Sequence, residues 1–120
     1  MNAKRPVWSW LFFPQLALVI VASVLATTGH FRVGLLQRWS LDKVGHFASY
    51  GGLSFLGTAF LGRARCRPFV ACLLVAATLE ELSQRAFSTR TFDLADLAMN
   101  IIGISLGGAL AVARLSAPRD

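Results

Sequence analysis

Charged residues punctuate this chain at long intervals, and the stretches between them define its elements. No charge lies between Arg5 and Arg32, and the gap contains the run LFFPQLALVIVASVLA. A helix needs about 20 apolar residues to cross the hydrocarbon of a bilayer, so residues 8–28 read as a first membrane span. Pro14 is expected near its start, where a missing N–H costs least, and Trp8 and Trp10 at interfacial depth. Residues 44–62 carry no formal charge and form a second span, rich in Gly51, Gly52, Ser54 and Gly57. Small residues let helices approach closely in lipid. After the loop RARCRP, residues 68–79 are apolar, then Glu80, Glu81, Gln84 and Arg85 follow. The apolar part makes only about 18 Å of helix, too short to cross. The third span, 69–87, therefore has to carry its carboxylates into the membrane. A fourth span, 94–113, opens with Asp96 and Asn100 and presents Gly103, Gly107 and Gly108 as a packing face. A cleaved leader is the alternative for the first span, with Lys4 and Arg5 before it and Val24–Leu25–Ala26 as a cleavage-like end. The apolar stretch exceeds the usual 7–15 residues or so of such leaders, so retention is expected.

Composition supports the membrane reading. The chain has 120 residues, of which 55% are hydrophobic and 15% charged, with a mean hydropathy of +0.58. Soluble domains run nearer 45–50% apolar and about 25% charged. A chain this short forms one domain and cannot bury so much apolar surface in a water-facing globule. The net charge of +6 invites a nucleic-acid partner, but the apolar fraction argues against one, and none is expected. Instead the charge sorts by side. With four spans, Lys4, Arg5, Arg63, Arg65, Arg67, Arg114 and Arg119 share a side with Asp120 alone. The other side balances Arg32, Arg38, Lys43, Arg85 and Arg90 against Asp42, Glu80, Glu81, Asp93 and Asp96. Basic residues concentrate in the cytoplasm, so both termini are expected inside. Cys66 and Cys72 are too few for a disulfide scaffold and fall where a disulfide is not expected.

The polar residues of the last three spans fall at one depth. At about 1.5 Å per residue, His46 and Asn100 lie about 5 and 9 Å below the outer interface, Tyr50 and Glu81 about 10 and 9 Å. Helical spacing aligns Asp42, His46 and Tyr50, then Glu81 with Gln84, then Asp93, Asp96, Asn100 and Gly103. Charges at membrane depth face partners or a wet cavity. Several chemistries stay open. Asp42 with His46 forms either a general-base pair or a hydrogen bond that pins the loop to its helix. His46, Glu81 and Asp96, with Asp93 or Glu80, either hold a divalent cation or are neutralised by Lys43 and Arg90. Lys43, Arg85 and Arg90 also suit a lipid phosphate. No H-E-x-x-H, G-x-S-x-G, P-loop or Gly-rich dinucleotide motif is present, and the cofactor and metal stay open.

The same residues carry a family resemblance. DKVGHFASYGGL from Asp42 to Leu53, ELSQ from Glu81 to Gln84 and RTFDLADLAMNIIG from Arg90 to Gly103 resemble the VanZ-like family of small multi-pass membrane proteins. The match runs through Asp42, Lys43, His46, Phe47, Tyr50, Glu81, Gln84, Arg90, Asp96, Asn100 and Gly103. Relatives often have Pro-Gly before the motif arginine, whereas this chain has Ser88–Thr89, so the turn that places Arg90 differs. The resemblance implies a bacterial inner-membrane protein of the cell envelope, linked through the family's name to teicoplanin resistance and through many relatives to envelope or polysaccharide functions.

The expectation is an all-α, four-helix transmembrane bundle, a single domain over 1–120 with cytoplasmic termini and a polar layer near the extracytoplasmic interface. His46, Glu81 and Asp96 are the candidate catalytic residues, and Asp42, Lys43, Tyr50, Gln84, Arg90 and Asn100 the candidate ligand contacts. Expected partners are membrane lipids and either a lipid-linked envelope intermediate or another membrane protein. The alternative function is a small membrane enzyme, a hydrolase or transferase acting on a lipid-linked phosphate or sugar. A transporter fits less well, because no polar path reaches the cytoplasmic half.

Overall fold

The computed structural model describes residues 5–27, 41–87 and 93–118. Four long helices carry the fold: α1 (Arg5–Thr27), α2 (Leu41–Leu61), α3 (Cys66–Phe87) and α4 (Leu94–Ser116). A short 3₁₀ turn, Arg63–Arg65, joins α2 to α3, and no strand occurs among the described residues. The helices have 23, 21, 22 and 23 residues, or about 32–35 Å each, enough to match a bilayer core. Only α1, over Val7–Leu25, and α4 are also apolar enough to cross one. In α2 the glycines, Ser54 and Lys43 dilute the apolar character. In α3 Glu80, Glu81 and Arg85 do so. The all-α, four-helix expectation therefore holds, while the composition criterion for spanning is met by two helices of the four.

Local sequence explains the boundaries. Helix α1 starts at Arg5, so Pro14 sits in its interior and not, as expected, near its start. The N–H it lacks is the one that would bond the Trp10 carbonyl. Next to it, Gln15 Nε2 donates to the Ser49 carbonyl of α2 at 3.1 Å and ties the two helices together. Gly62 ends α2 with φ +89, a left-handed conformation open to glycine, and its N–H returns to the Thr58 carbonyl at 2.9 Å. Pro68 falls in the first turn of α3, where no intrahelical N–H is required. Trp10 is 78% exposed, as an interfacial or lipid-facing ring would be. Trp8 instead turns inward, with its ring 5.9 Å from Phe55 and the Arg114 guanidinium 5.4 Å above it.

The tightest packing joins α2 to α4. The two run in the same direction, and Gly51, Gly103 and Gly107 let their backbones touch. A Cβ on Gly103 would stand 2.5 Å from the Phe47 carbonyl, and one on Gly107 would collide with the Gly51 carbonyl. Ser54 Oγ donates to the Ile104 carbonyl at 2.7 Å inside this seam. Around it Leu53, Leu73, Ala77 and Ile104 form the core. Phe12, Phe13, Phe60 and Phe69 cluster toward the end that carries Arg63 and Arg65. At that end Arg63 Nη1 donates to Ser116 Oγ at 3.1 Å. The opposite end, where α2 and α4 begin and α3 finishes, holds the carboxylates.

Candidate functional site

The glycine seam determines which polar residues meet. Close approach at Gly103 and Phe47 brings the preceding turns of α2 and α4 together. His46 Nδ1 then lies 3.1 Å from Asn100 Oδ1. An amide oxygen only accepts, so Nδ1 carries the proton in this contact. One turn further out, Lys43 Nζ lies 3.2 Å from Asp93 Oδ2 and 3.5 Å from Asp96 Oδ1. The other Asp96 oxygen, Oδ2, faces His46 Nε2 at 3.8 Å. Asp96 thus divides its two oxygens between an ammonium and an imidazole.

Helix α3 closes the site from the side. Glu81 is only 2% exposed. One donor atom each from His46, Glu81 and Asp96 lie within 4.8 Å of one another. The three candidate catalytic residues therefore converge from α2, α3 and α4. Asn100 is fully buried, and its Nδ2 has no hydrogen-bond partner among the described residues.

A second group sits beside the first. Tyr50 OH donates to Glu80 Oε2 in a short contact, and Gln84 Nε2 donates to Glu80 Oε1 at 3.3 Å. Two adjacent carboxylates of α3 thus serve two neighbourhoods, Glu80 toward Tyr50 and Glu81 toward His46 and Asp96. Sequence reasoning aligned Gln84 with Glu81 and named Glu80 only as an alternative member of a cation site. The available signal was the i, i+4 spacing of Glu80 and Gln84.

Asp93 was considered only for charge pairing and as an alternative member of a cation site. It is the N-cap of α4, with Oδ1 accepting from the Ala95 N–H at 2.8 Å. That backbone bond, helped by Lys43, holds its carboxyl below the usual value despite an opposing desolvation. An Asp just before an apolar helical run is itself a start signal.

Other expectations meet different outcomes. The Asp42 side chain and all of Arg90 lie outside the described residues, so the Asp42–His46 pair and the Arg90 clamp are not placed. Among described residues His46 takes its partners from α4. Arg85 is exposed in the last turn of α3, and Lys43 is engaged by carboxylates.

Next to Tyr50 and Glu80 a groove of about 460 Å³ runs along the facing sides of α1 and α3 over α2. Leu16, Val19, Leu53, Leu73 and Leu79 make it apolar, and Ser23, Tyr50, Glu80 and Ser83 supply its polar groups.

A family model described as VanZ/LLP1 matches residues 4–115. Comparison with curated proteins and with solved structures gives no match.

Proposed function

Because the chain belongs to the VanZ/LLP1 family, we propose that it is a multi-pass protein of the bacterial inner membrane that binds a lipid-linked envelope intermediate. Through that binding it influences teicoplanin susceptibility or envelope polysaccharide assembly. All four helices cross the bilayer in this reading. Helix length supports it, as do the exposed Val75, Leu79 and Leu82 on α3, a helix too polar to qualify by composition alone. The charge asymmetry supports cytoplasmic termini, with Arg63, Arg65 and Arg67 on the inner face.

The observation that carries the reading is the apolar groove that meets Tyr50 and Glu80. An acyl or isoprenoid chain fits the apolar walls, while hydroxyl or amide groups of a head group donate to Glu80. The test is mass spectrometry of lipids retained by the protein purified in mild detergent. A sugar- or phosphate-bearing envelope lipid is expected. Ala76→Trp, which fills the groove, should reduce it about tenfold, roughly 1.4 kcal/mol in affinity. Equal retention by both proteins would sink the proposal. For the resistance role, the same variant should erase any shift in teicoplanin susceptibility that the wild-type chain confers on a host.

A second reading has its own observation. His46, Glu81 and Asp96 converge as a small membrane enzyme acting on a lipid-linked phosphate or sugar would need, with His46 as base. Turnover of envelope lipids by wild type, absent in folded His46→Gln, would favour it. The absence of any turnover leaves the binding role alone.

A further inference from the structure

We propose that His46 Nε2, Glu81 and Asp96 Oδ2 form a binding site for a divalent transition-metal cation such as Zn²⁺ or Mn²⁺. This goes beyond lipid binding and needs no occupant in the groove.

The first ground is the acceptor geometry. The Asn100 amide oxygen takes the Nδ1 proton of His46, which leaves Nε2 as the ring atom that faces the Asp96 carboxylate and is free to serve as a ligand. At 3.8 Å these two atoms are too far apart for a hydrogen bond. An imidazole nitrogen and two carboxylates that converge from three helices make a donor set for a cation. A cation at about 2.0–2.2 Å from each donor sets neighbouring donors about 3–4 Å apart. The His46–Asp96 separation is already in that range, and Glu81 completes a set whose atoms lie within 4.8 Å.

The second ground is the surrounding shell. Histidines that ligate metals usually give their other ring N–H to an oxygen acceptor, which fixes the tautomer and aims the lone pair. Asn100 does this for His46. The amide nitrogen of Asn100, buried and without a hydrogen-bond partner among the described residues, is a donor adjoining the same cluster. Lys43 takes Asp96 Oδ1 and leaves Oδ2 for the site.

The donor set selects the ion. One imidazole and two carboxylates suit Zn²⁺ or Mn²⁺ better than Mg²⁺, which demands octahedral oxygen ligands and keeps its waters. Three protein ligands leave room for an exchangeable water, the pattern of an open site.

The test uses the full chain in detergent, stripped with EDTA and titrated with Zn²⁺ and with Mn²⁺. One ion per chain is expected. His46→Gln, Glu81→Gln and Asp96→Asn should each weaken binding at least about tenfold, and Asn100→Ala about 10–100-fold. Asp93→Asn and Ala76→Trp should leave it within about twofold, and the latter separates this site from the lipid groove. Pulsed EPR of the Mn²⁺-loaded wild type should show one imidazole nitrogen, retained in His30→Gln. That spectrum decides the matter should the buried variants fail to fold. Three outcomes would overturn the site: no ion bound above the stripped baseline, a manganese spectrum without nitrogen coupling, or binding unchanged in folded His46→Gln.

Discussion

Asp93 shows how much one exposed side chain does in this chain. It caps α4, pairs with Lys43 and so sets where the last helix begins. Asp93→Ala should cost about 1 kcal/mol, as capping losses do, measured as a lower midpoint in detergent-solubilised thermal unfolding. Asp93→Asn keeps an acceptor and should cost much less near neutral pH. The pH dependence separates the two contributions. Since the folded carboxyl titrates below its ordinary value of 3.8, its stabilisation is fully present above that value. It is lost as the pH falls through the lower, folded-state pKa. Wild type should therefore lose stability more steeply than Asp93→Asn on acidification below about pH 4. The neighbouring carboxylates of α3 teach a different lesson. The short apolar run before Glu81 was the reason to expect its carboxylate inside the bundle, and it is buried there. Which of Glu80 and Glu81 meets Tyr50 was not legible. Adjacent residues on a helix differ by about 100° in direction, so the answer depends on how α3 is rotated against α2. Packing sets that rotation, and the sequence does not print it.

At the scale of elements, charge spacing was a reliable guide to the helices. The four expected spans each fall on an observed helix. The helices extend further than expected at Leu41, Cys66 and Ser116. Pro14 was misjudged because the helix begins within a basic stretch that charge counting treated as flank. The small-residue face of α4 was read correctly as a packing surface, but its partner could not be read. Gly51 and Gly52 of α2, Gly57 and the α4 glycines all offered surfaces for close approach. The structure commits Gly103 and Gly107 to Phe47 and Gly51. Gly107→Ala should therefore separate α2 from α4 and cost about 1–3 kcal/mol, the usual effect of overpacking. The same change at Gly45, where a Cβ meets nothing within 4 Å, should be neutral or stabilise by up to about 1 kcal/mol. Unfolding of the two variants in one detergent makes the comparison. Because the seam also aligns His46 with Asn100, Gly107→Ala should weaken metal binding without touching a ligand.

For the whole molecule, the separation of charge is the strongest single regularity. One end presents Arg63 and Arg65 beside Ser116 and Arg114. The other gathers Lys43, His46, Glu80, Glu81, Asp93 and Asp96. The all-α, four-helix fold class was legible because apolar runs and charges alternate so cleanly. The cation geometry was not, since it depends on the tautomer of His46 and on how Asp96 divides its oxygens. Orientation is testable directly. With Cys66 and Cys72 replaced by serine, a cysteine at Ala86 should react with an impermeant thiol reagent added to intact cells. One at Ala117 should react only after the membrane is opened. The reverse pattern would invert the proposed topology.

The union of α2 with α4 has a consequence for biosynthesis. The closest-fitting pair is separated in the chain by α3, so a ribosome delivers its second half last. Until α4 emerges, the glycine face of α2 and the polar residues His46 and Glu81 lack the surface built to receive them. The two middle helices are also the pair whose composition falls short of crossing a membrane unaided. Their integration into the bilayer should therefore wait for α4 and proceed as one late event. Chains truncated before Leu94 should be poorly inserted and rapidly degraded, even though three of the four helices have been made.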